Sequence, residues 1–125
     1  MDLHLLRLWD IYNPLLTDHQ REVTDLYFNC DLSLAEIAEQ KGCSRQSISD
    51  TLQKARRLME EYEEKLHLLR HFTEVSLTQS LLMTELSRWA QTLPDRQRDE
   101  AEAILHKDFS AEVAEAIKRH SDTLL

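Results

Sequence analysis

The sequence contains little of what sheets and loops are built from. Only one glycine and two prolines occur in 125 residues, and turns depend strongly on these two residue types. Leu, Ala, Glu, Gln and Arg are abundant instead, and all five favour helix. The composition therefore argues against a strand-rich fold. It predicts an all-α protein, long enough for one core with a helical extension.

Cysteine and long apolar runs are scarce as well. Cys30 and Cys43 are too few and too far apart in the sequence for a disulfide framework or a zinc site. Arg7 and Asp10 interrupt the apolar residues near the start, so no secretory signal is readable. No later run approaches the roughly 20 apolar residues of a membrane-spanning helix. We therefore expect a cytoplasmic protein with reduced thiols.

Positive charge is in the minority, and only one part of the chain has a positive balance. The net charge is -8, and by segment it is -3 over 1–30, -2 over 59–72 and -4 over 73–125. Only residues 31–58 have a positive balance, of +1. This segment is therefore the one place where a polyanion is expected to bind.

Helix-starting signals and apolar periodicity divide the chain into helices. Thr17 is followed three positions later by Gln20, a pair that satisfies free amides at a helix start. Ser33 and Glu36 repeat this pair. Gly42 is expected to end the second of these helices in a left-handed conformation. The predicted helices cover residues 2–13, 18–29, about two turns after Ser33, 44–72, 74–92, 95–107 and a weaker last stretch from Ser110.

The two helices around Gly42 have the spacing of a helix-turn-helix. Ala38 is small enough for close packing, Gly42 makes the turn, and Ile48 anchors the second helix while its outer face stays free. Gln and Arg side chains on that face suit base edges. The candidate phosphate ligands are Lys41, Arg45, Lys54, Arg56 and Arg57. The same pattern also fits a helical corner packed into a bundle. The candidate nucleic-acid-binding residues are Lys41, Ser44, Arg45, Gln46, Ser47, Ser49, Asp50, Gln53, Lys54 and Arg57.

A second apolar pattern runs from Ile48 to Phe72, with steps of four and three residues. It predicts one uninterrupted helix over 44–72, roughly 43 Å long at about 1.5 Å per residue. Two interpretations stay open for its far half: a coiled coil between two copies, or cover by the chain's own C-terminal helices, which we favour. The predicted domains are 1–72, the helix-turn-helix with its long helix, and 73–125, an extension packing on that helix or on a second subunit.

Three further features are expected to carry no chemistry. His67 and His71 share a helix face but lack a third inward ligand, so no metal is predicted. The glutamates of "MEEYEEKLH" are interpreted as the solvated side of an exposed helix, which with the lack of pocket-forming loops argues against an enzyme. Trp9 and Trp89 are expected in the core. No cofactor is predicted.

Three motifs give the chain a family resemblance. "SLAEIAE" at 33–39, "SRQ" at 44–46 and "LMEEYEEKLHLL" at 58–69 resemble the YlxM-like family of bacterial helix-turn-helix proteins, whose N-terminal part is similar to region four of sigma factors. The resemblance is close over residues 15–72. Residues 73–125 match only in being helical.

The resemblance implies a partner as well as a fold. Genes of this family lie beside those of the signal recognition particle GTPase and its receptor in Gram-positive bacteria, which implies a regulatory or accessory role in protein targeting. Sigma-type helices tend to carry basic residues where this chain has Ser47 and Ser49, so we expect weak, salt-sensitive binding to duplex DNA or to the particle's RNA. The alternative is an adaptor that binds the targeting GTPase or RNA polymerase without reading DNA.

Overall fold

The computed structural model describes residues 2–124, and within them the fold is all-α, as the composition predicts. The chain divides into two compact units, Met1–Val75 and Ser76–Leu125, called here the N-terminal and C-terminal units. Helix α5 begins in the first unit and ends in the second. The helices are α1 (Leu3–Tyr12), α2 (Asp18–Phe28), α3 (Leu34–Lys41), α4 (Arg45–Leu66), α5 (Leu68–Ala90), α6 (Asp95–Leu105) and α7 (Ser110–Leu124), with a 3-10 turn at Asn13–Leu15.

Both predicted capping pairs are present. The Gln20 amide donates to Thr17 Oγ1 at 3.2 Å, and the Thr17 amide donates to Gln20 Oε1 at 3.0 Å. Ser33 and Glu36 make the same reciprocal bonds at the start of α3. The bonds with Ser33 hold the pKa of Glu36 below its usual range. These local signals fix where α2 and α3 begin.

Gly42 makes the turn between α3 and α4 in the predicted way. Its φ of 65° and ψ of 36° are left-handed, a conformation that glycine adopts without steric cost. A Cβ added at Gly42 would meet no atom within 4 Å, so the backbone angle and not the surrounding space calls for glycine. Ser44 then caps α4 by accepting from the Ser47 amide at 3.0 Å.

Two apolar clusters form the core of the N-terminal unit. The first joins α1 and α2 to the middle of α4 through Leu8, Trp9, Tyr12, Leu16, Phe28, Ala55 and Met59. The second joins α2, α3 and the start of α4 through Val23, Ile37, Ala38 and Ile48. Because α4 contributes to both clusters, its inner side is held along more than three turns. The outer side of its first half is therefore presented on a rigid support.

The predicted single helix over 44–72 is wrong. Helix α4 ends at Leu66, His67 adopts a left-handed conformation with φ 54° and ψ 30°, and α5 begins at Leu68 instead of near 74. The predicted seam therefore does not continue, and Leu66 and Phe72 are exposed. Neither glycine nor proline marks this break in the sequence.

A buried tyrosine and a glutamate explain the break. Tyr12 from α1 donates its hydroxyl to Glu63 Oε2 at 2.6 Å, and the same carboxylate accepts the amides of Leu69 and Arg70, each at 3.0 Å. The Leu68 amide donates to the Tyr12 oxygen at 3.4 Å. The free amides in the first turn of α5 thus find hydrogen-bond acceptors in Glu63, near the end of α4, and in Tyr12 of α1. Glu63 is not the purely solvating residue that the sequence predicted.

The pKa values of the pair reflect these bonds. Burial, and then the hydrogen bond to Glu63, raise the pKa of Tyr12 to about 12. Burial by itself raises the pKa of Glu63, but the hydrogen bonds from Tyr12, Leu69 and Arg70 outweigh it, so the pKa lies below the usual value. At neutral pH the pair is therefore a neutral hydroxyl and a carboxylate anion.

His67→Gly is expected to stabilise the N-terminal unit. Histidine at φ 54° is strained relative to glycine by about 1–2 kcal/mol, and the greater freedom of glycine in the unfolded chain offsets part of this gain. We expect a net increase in the free energy of unfolding of about 0.5–1 kcal/mol in urea denaturation. Lys65→Gly, two residues earlier inside α4, should instead lower it by about 1 kcal/mol. A loss in both variants would contradict the strain at His67.

The C-terminal unit has little core of its own. Among Ser76–Thr123, Ala90 is the only buried apolar residue. The prediction that Trp89 lies in the core is wrong, because 56% of it is exposed. No helix within residues 2–124 is long and apolar enough to cross a membrane. The large exposed apolar side chains of this unit are Leu77, Leu81, Leu82, Trp89, Ile104, Phe109, Val113 and Ile117.

Candidate nucleic-acid interface

The first half of α4 has a buried side and an exposed side, as its periodicity predicts. Ile48 and Ala55 are fully buried and Leu52 is half-buried. Lys41 and Ser49, among the predicted site residues, are half-buried. The exposed members of the predicted site are Ser44, Arg45, Gln46, Ser47, Asp50, Gln53, Lys54 and Arg57.

Lys41 is engaged within the protein. Its ammonium group forms an ion pair with the Glu22 carboxylate of α2. The hydrogen bond and positive charge of Lys41 hold the pKa of Glu22 below its usual range. A phosphate would therefore have to compete with a carboxylate for Lys41, which makes this residue a poorer phosphate ligand than the sequence predicted.

Arg56 is engaged in the same way. Its Nε donates to Glu60 Oε1 at 3.0 Å, and its guanidinium lies 3.5 Å from the Asp2 carboxylate. The bond to Glu60, then its charge, raise the pKa of Arg56. Asp2 also caps α1 by accepting the amides of His4 and Leu5. Arg56 therefore links the start of α1 to α4 and is directed towards two acids.

Between Arg45 and Arg57, three cations of α4 have no such partner. Within residues 2–124, Arg45, Lys54 and Arg57 make no ion pair, and all three are exposed. Arg57 lies on the side of α4 opposite Ile48 and Ala55, Lys54 lies beside it, and Arg45 lies at the N-terminal flank. These three residues are called the free cations of α4.

Some of the polar residues between the free cations already form side-chain hydrogen bonds with each other. Gln46 Nε2 donates to Asp50 Oδ1 at 3.0 Å, so the Gln46 amide nitrogen is engaged and the Asp50 charge stays on the outer face. Gln53 makes no hydrogen bond through its side chain within the described part of the chain. Among the outer-face residues, Gln53 thus has a side-chain amide that is not engaged within the described part of the chain.

The described residues form no metal site around His67 and His71. His67 and His71 are exposed at the break between α4 and α5, and no cluster of three metal-ligating side chains occurs in residues 2–124. The cavity beside them, of about 400 Å³, is lined by Leu66, Leu68, Arg70 and Glu74 as well. Arg70 donates to Glu74 at 3.1 Å, so even these charges are paired.

A comparison with protein families matches most of the chain. A family model with the description "Putative helix-turn-helix protein, YlxM / p13 like" covers residues 2–92. That range includes all of the N-terminal unit from Asp2 onward and α5 to its end. The helix-turn-helix geometry of α3 and α4 agrees with this description. The description names a structural motif and no enzyme.

Individual relatives support the same family. A UPF0122 protein of Clostridium kluyveri is 51% identical over 67 residues, which are 54% of this chain and 60% of that protein. A UPF0122 protein of Bacillus cereus is 49% identical over 67 residues, 54% of this chain and 61% of that protein. One from Thermoanaerobacter is 33% identical over 113 residues, 90% of this chain and 93% of that protein. The chain belongs to the UPF0122 family of YlxM / p13-like helix-turn-helix proteins.

Proposed function

We propose that this protein binds duplex DNA by placing the first half of α4 in the major groove. The observation that carries the proposal is the set of free cations, Arg45, Lys54 and Arg57, which no carboxylate of residues 2–124 neutralises. The buried Ile48 and Ala55 hold the helix from behind, so its outer face is presented without a cost of ordering. A helix of this kind is what the major groove admits.

The number of free cations sets the expected strength. Three phosphate contacts give a slope of log affinity against log salt of about -2.7. Affinity then falls roughly 40-fold between 50 and 200 mM salt. The Asp50 carboxylate on the outer face adds repulsion. We therefore expect binding by one copy to be weak.

We propose further that this binding has a regulatory role in protein targeting. The resemblance to the YlxM-like family, with its gene neighbourhood, supports the signal recognition particle as the place of action. The particle's RNA is then a second polyanion for the same free cations. Comparing duplex DNA with this RNA at equal salt decides which one the free cations bind more tightly.

Arg57→Ala is expected to weaken binding and to lower the steepness of the salt dependence. Loss of one phosphate contact reduces the slope by about 0.9, measured by fluorescence anisotropy of labelled mixed-sequence duplex DNA from 50 to 200 mM salt. Arg56→Ala is the matched control, because it removes the same charge from the adjacent position but from an ion-paired side chain. Gln53→Ala should weaken binding without altering the slope, since its amide is neutral.

If wild type and Arg57→Ala show equal slopes of log affinity against log salt, the free cations do not form the contact surface. Equal losses in Arg56→Ala and Arg57→Ala would mean that only net charge matters and not the outer face of α4. Either result would overturn groove binding through α4. Circular dichroism of each variant verifies that the helices are intact.

The second candidate is a protein-binding adaptor, and the acidity of the second half of α4 favours it. Glu61 and Glu64 are exposed there and make no ion pair within the described chain. This face suits a basic protein surface, such as that of the targeting GTPase. Glu61→Lys should then weaken binding to the GTPase and leave DNA binding unchanged or stronger.

A further inference from the structure

We propose that the C-terminal unit is a dimerisation element in which α7 of one copy packs into an apolar groove of a second copy. The groove lies between the end of α5 and α6 and is lined by Leu86, Trp89, Leu93, Ala101, Ile104 and Leu105. Its volume is about 520 Å³. The inference concerns assembly and does not depend on what the free cations of α4 bind.

The groove is open and apolar. Trp89 is 56% exposed and Ile104 is 63% exposed, although both belong to its lining. Gln97 and Glu100 are the polar residues of the lining, so the walls are largely hydrocarbon. A groove with this composition is the kind that accepts the apolar face of an amphipathic helix.

Helix α7 is an amphipathic helix whose apolar face is exposed. Val113 and Ile117 lie on one face four residues apart, with Ala116 beside them. Every residue from Ser110 to Thr123 is exposed, and Ile117 is 61% exposed. An isolated helix of 15 residues is marginal in water, so α7 needs packing to be stable. The chain thus carries both a groove and a helix that fits it.

Local contacts order the segment before α7. Lys107 forms an ion pair with Glu112 at 2.9 Å, and its ammonium lies 4.9 Å from the centre of the Phe109 ring. Asp108 accepts the Ser110 amide at 2.9 Å. None of these contacts covers the apolar face of α7, which stays exposed. The groove of a second copy can cover this face.

The C-terminal unit exposes many large apolar side chains for a monomer. A stable interface buries about 800 Å² from each partner, whereas the largest apolar patch of a typical monomer is about 300–600 Å². Among its residues 76–123, the C-terminal unit has eight large apolar side chains that are each between 45% and 69% exposed. Reciprocal exchange of α7 uses the groove and the helix of each copy, which gives a closed dimer.

Sedimentation equilibrium of the full chain over a range of concentrations tests the proposal. We expect a monomer–dimer equilibrium whose dissociation constant rises at least 10-fold in Ile117→Asp, because Ile117 would lie in the partner's groove. Ile104→Asp should have the same effect from the groove side. Glu115→Ala, on the opposite face of α7, is the matched control and should leave the constant unchanged. A wild-type chain that stays monomeric at every concentration overturns the proposal.

A cross-linking experiment identifies the occupant of the groove. In a Cys30→Ser, Cys43→Ala background, the variant Gln97→Cys, Ile117→Cys is treated with a short bismaleimide. A covalent dimer on a denaturing gel is the expected product. An internally linked monomer, a ladder of larger products or no product overturns the reciprocal dimer. Gln97→Cys with Glu115→Cys, on the far face of α7, should give much less covalent dimer.

Discussion

Glu63→Ala is expected to lower the free energy of unfolding of the N-terminal unit by about 3 kcal/mol, since hydrogen bonds to a charged acceptor contribute about 1.5–3 kcal/mol each. The carboxylate accepts from Tyr12, Leu69 and Arg70, and water replaces part of this loss at the exposed amide. For a unit of this size the melting temperature should fall by about 15 °C. Tryptophan fluorescence in a Trp89→Phe background reports the transition through buried Trp9.

Glu64→Ala is the matched control for this prediction. Glu64 is the next residue, carries the same charge and is exposed, so its removal should change stability by less than about 0.5 kcal/mol. Similar losses in the two variants would mean that the effect comes from helix propensity or net charge. The carboxylate of Glu63 would then not be what starts α5.

Tyr12→Phe is expected to alter how stability depends on alkaline pH. The pKa of Tyr12 is raised from 10.0 in the unfolded chain to about 12 in the folded one, so the folded state favours the neutral hydroxyl. The stabilisation that the neutral hydroxyl gives the folded state is fully present below pH 10 and is lost as the pH rises from 10 to about 12. A pKa difference of this size corresponds to a contribution of at most about 2.7 kcal/mol to the free energy of unfolding.

The measurement compares wild type and Tyr12→Phe in urea at pH 8, 10, 11 and 12. All other ionisable groups are common to both proteins, so the difference in stability between the two isolates Tyr12. At pH 8 the variant should be less stable, because the hydrogen bond to Glu63 at 2.6 Å is missing. Between pH 10 and 12 the two stabilities should converge. Parallel pH profiles would contradict the raised pKa.

The starts of α2 and α3 and the turn of the helix-turn-helix were predictable because their causes are local. Thr17 with Gln20, Ser33 with Glu36, and Gly42 each act within one turn of the chain, so their residue types and spacing are sufficient evidence. The inward positions of Ile48 and Ala55 follow from periodicity in the same way. The outer face of α4 could therefore be predicted from sequence.

The state of the cations on that face could not be predicted from sequence. Lys41 is paired with Glu22, and Arg56 with Asp2 as well as Glu60. Two of these acids are distant in sequence, and only the packing of α1 and α2 brings them close. Five candidate phosphate ligands were thereby reduced to three free cations.

Local sequence determined the all-α class, the starts of α2, α3 and α4, the Gly42 turn and the buried stripe of α4, because backbone capping and periodicity act over a few residues. Tertiary structure decided the break at His67. The residue that makes it possible, Tyr12, is 51 positions from Glu63, and no periodicity carries information over that distance. The exposure of Trp89 and of α7 was decided in the same way, since an apolar stripe specifies that a helix needs a partner but not which chain supplies it.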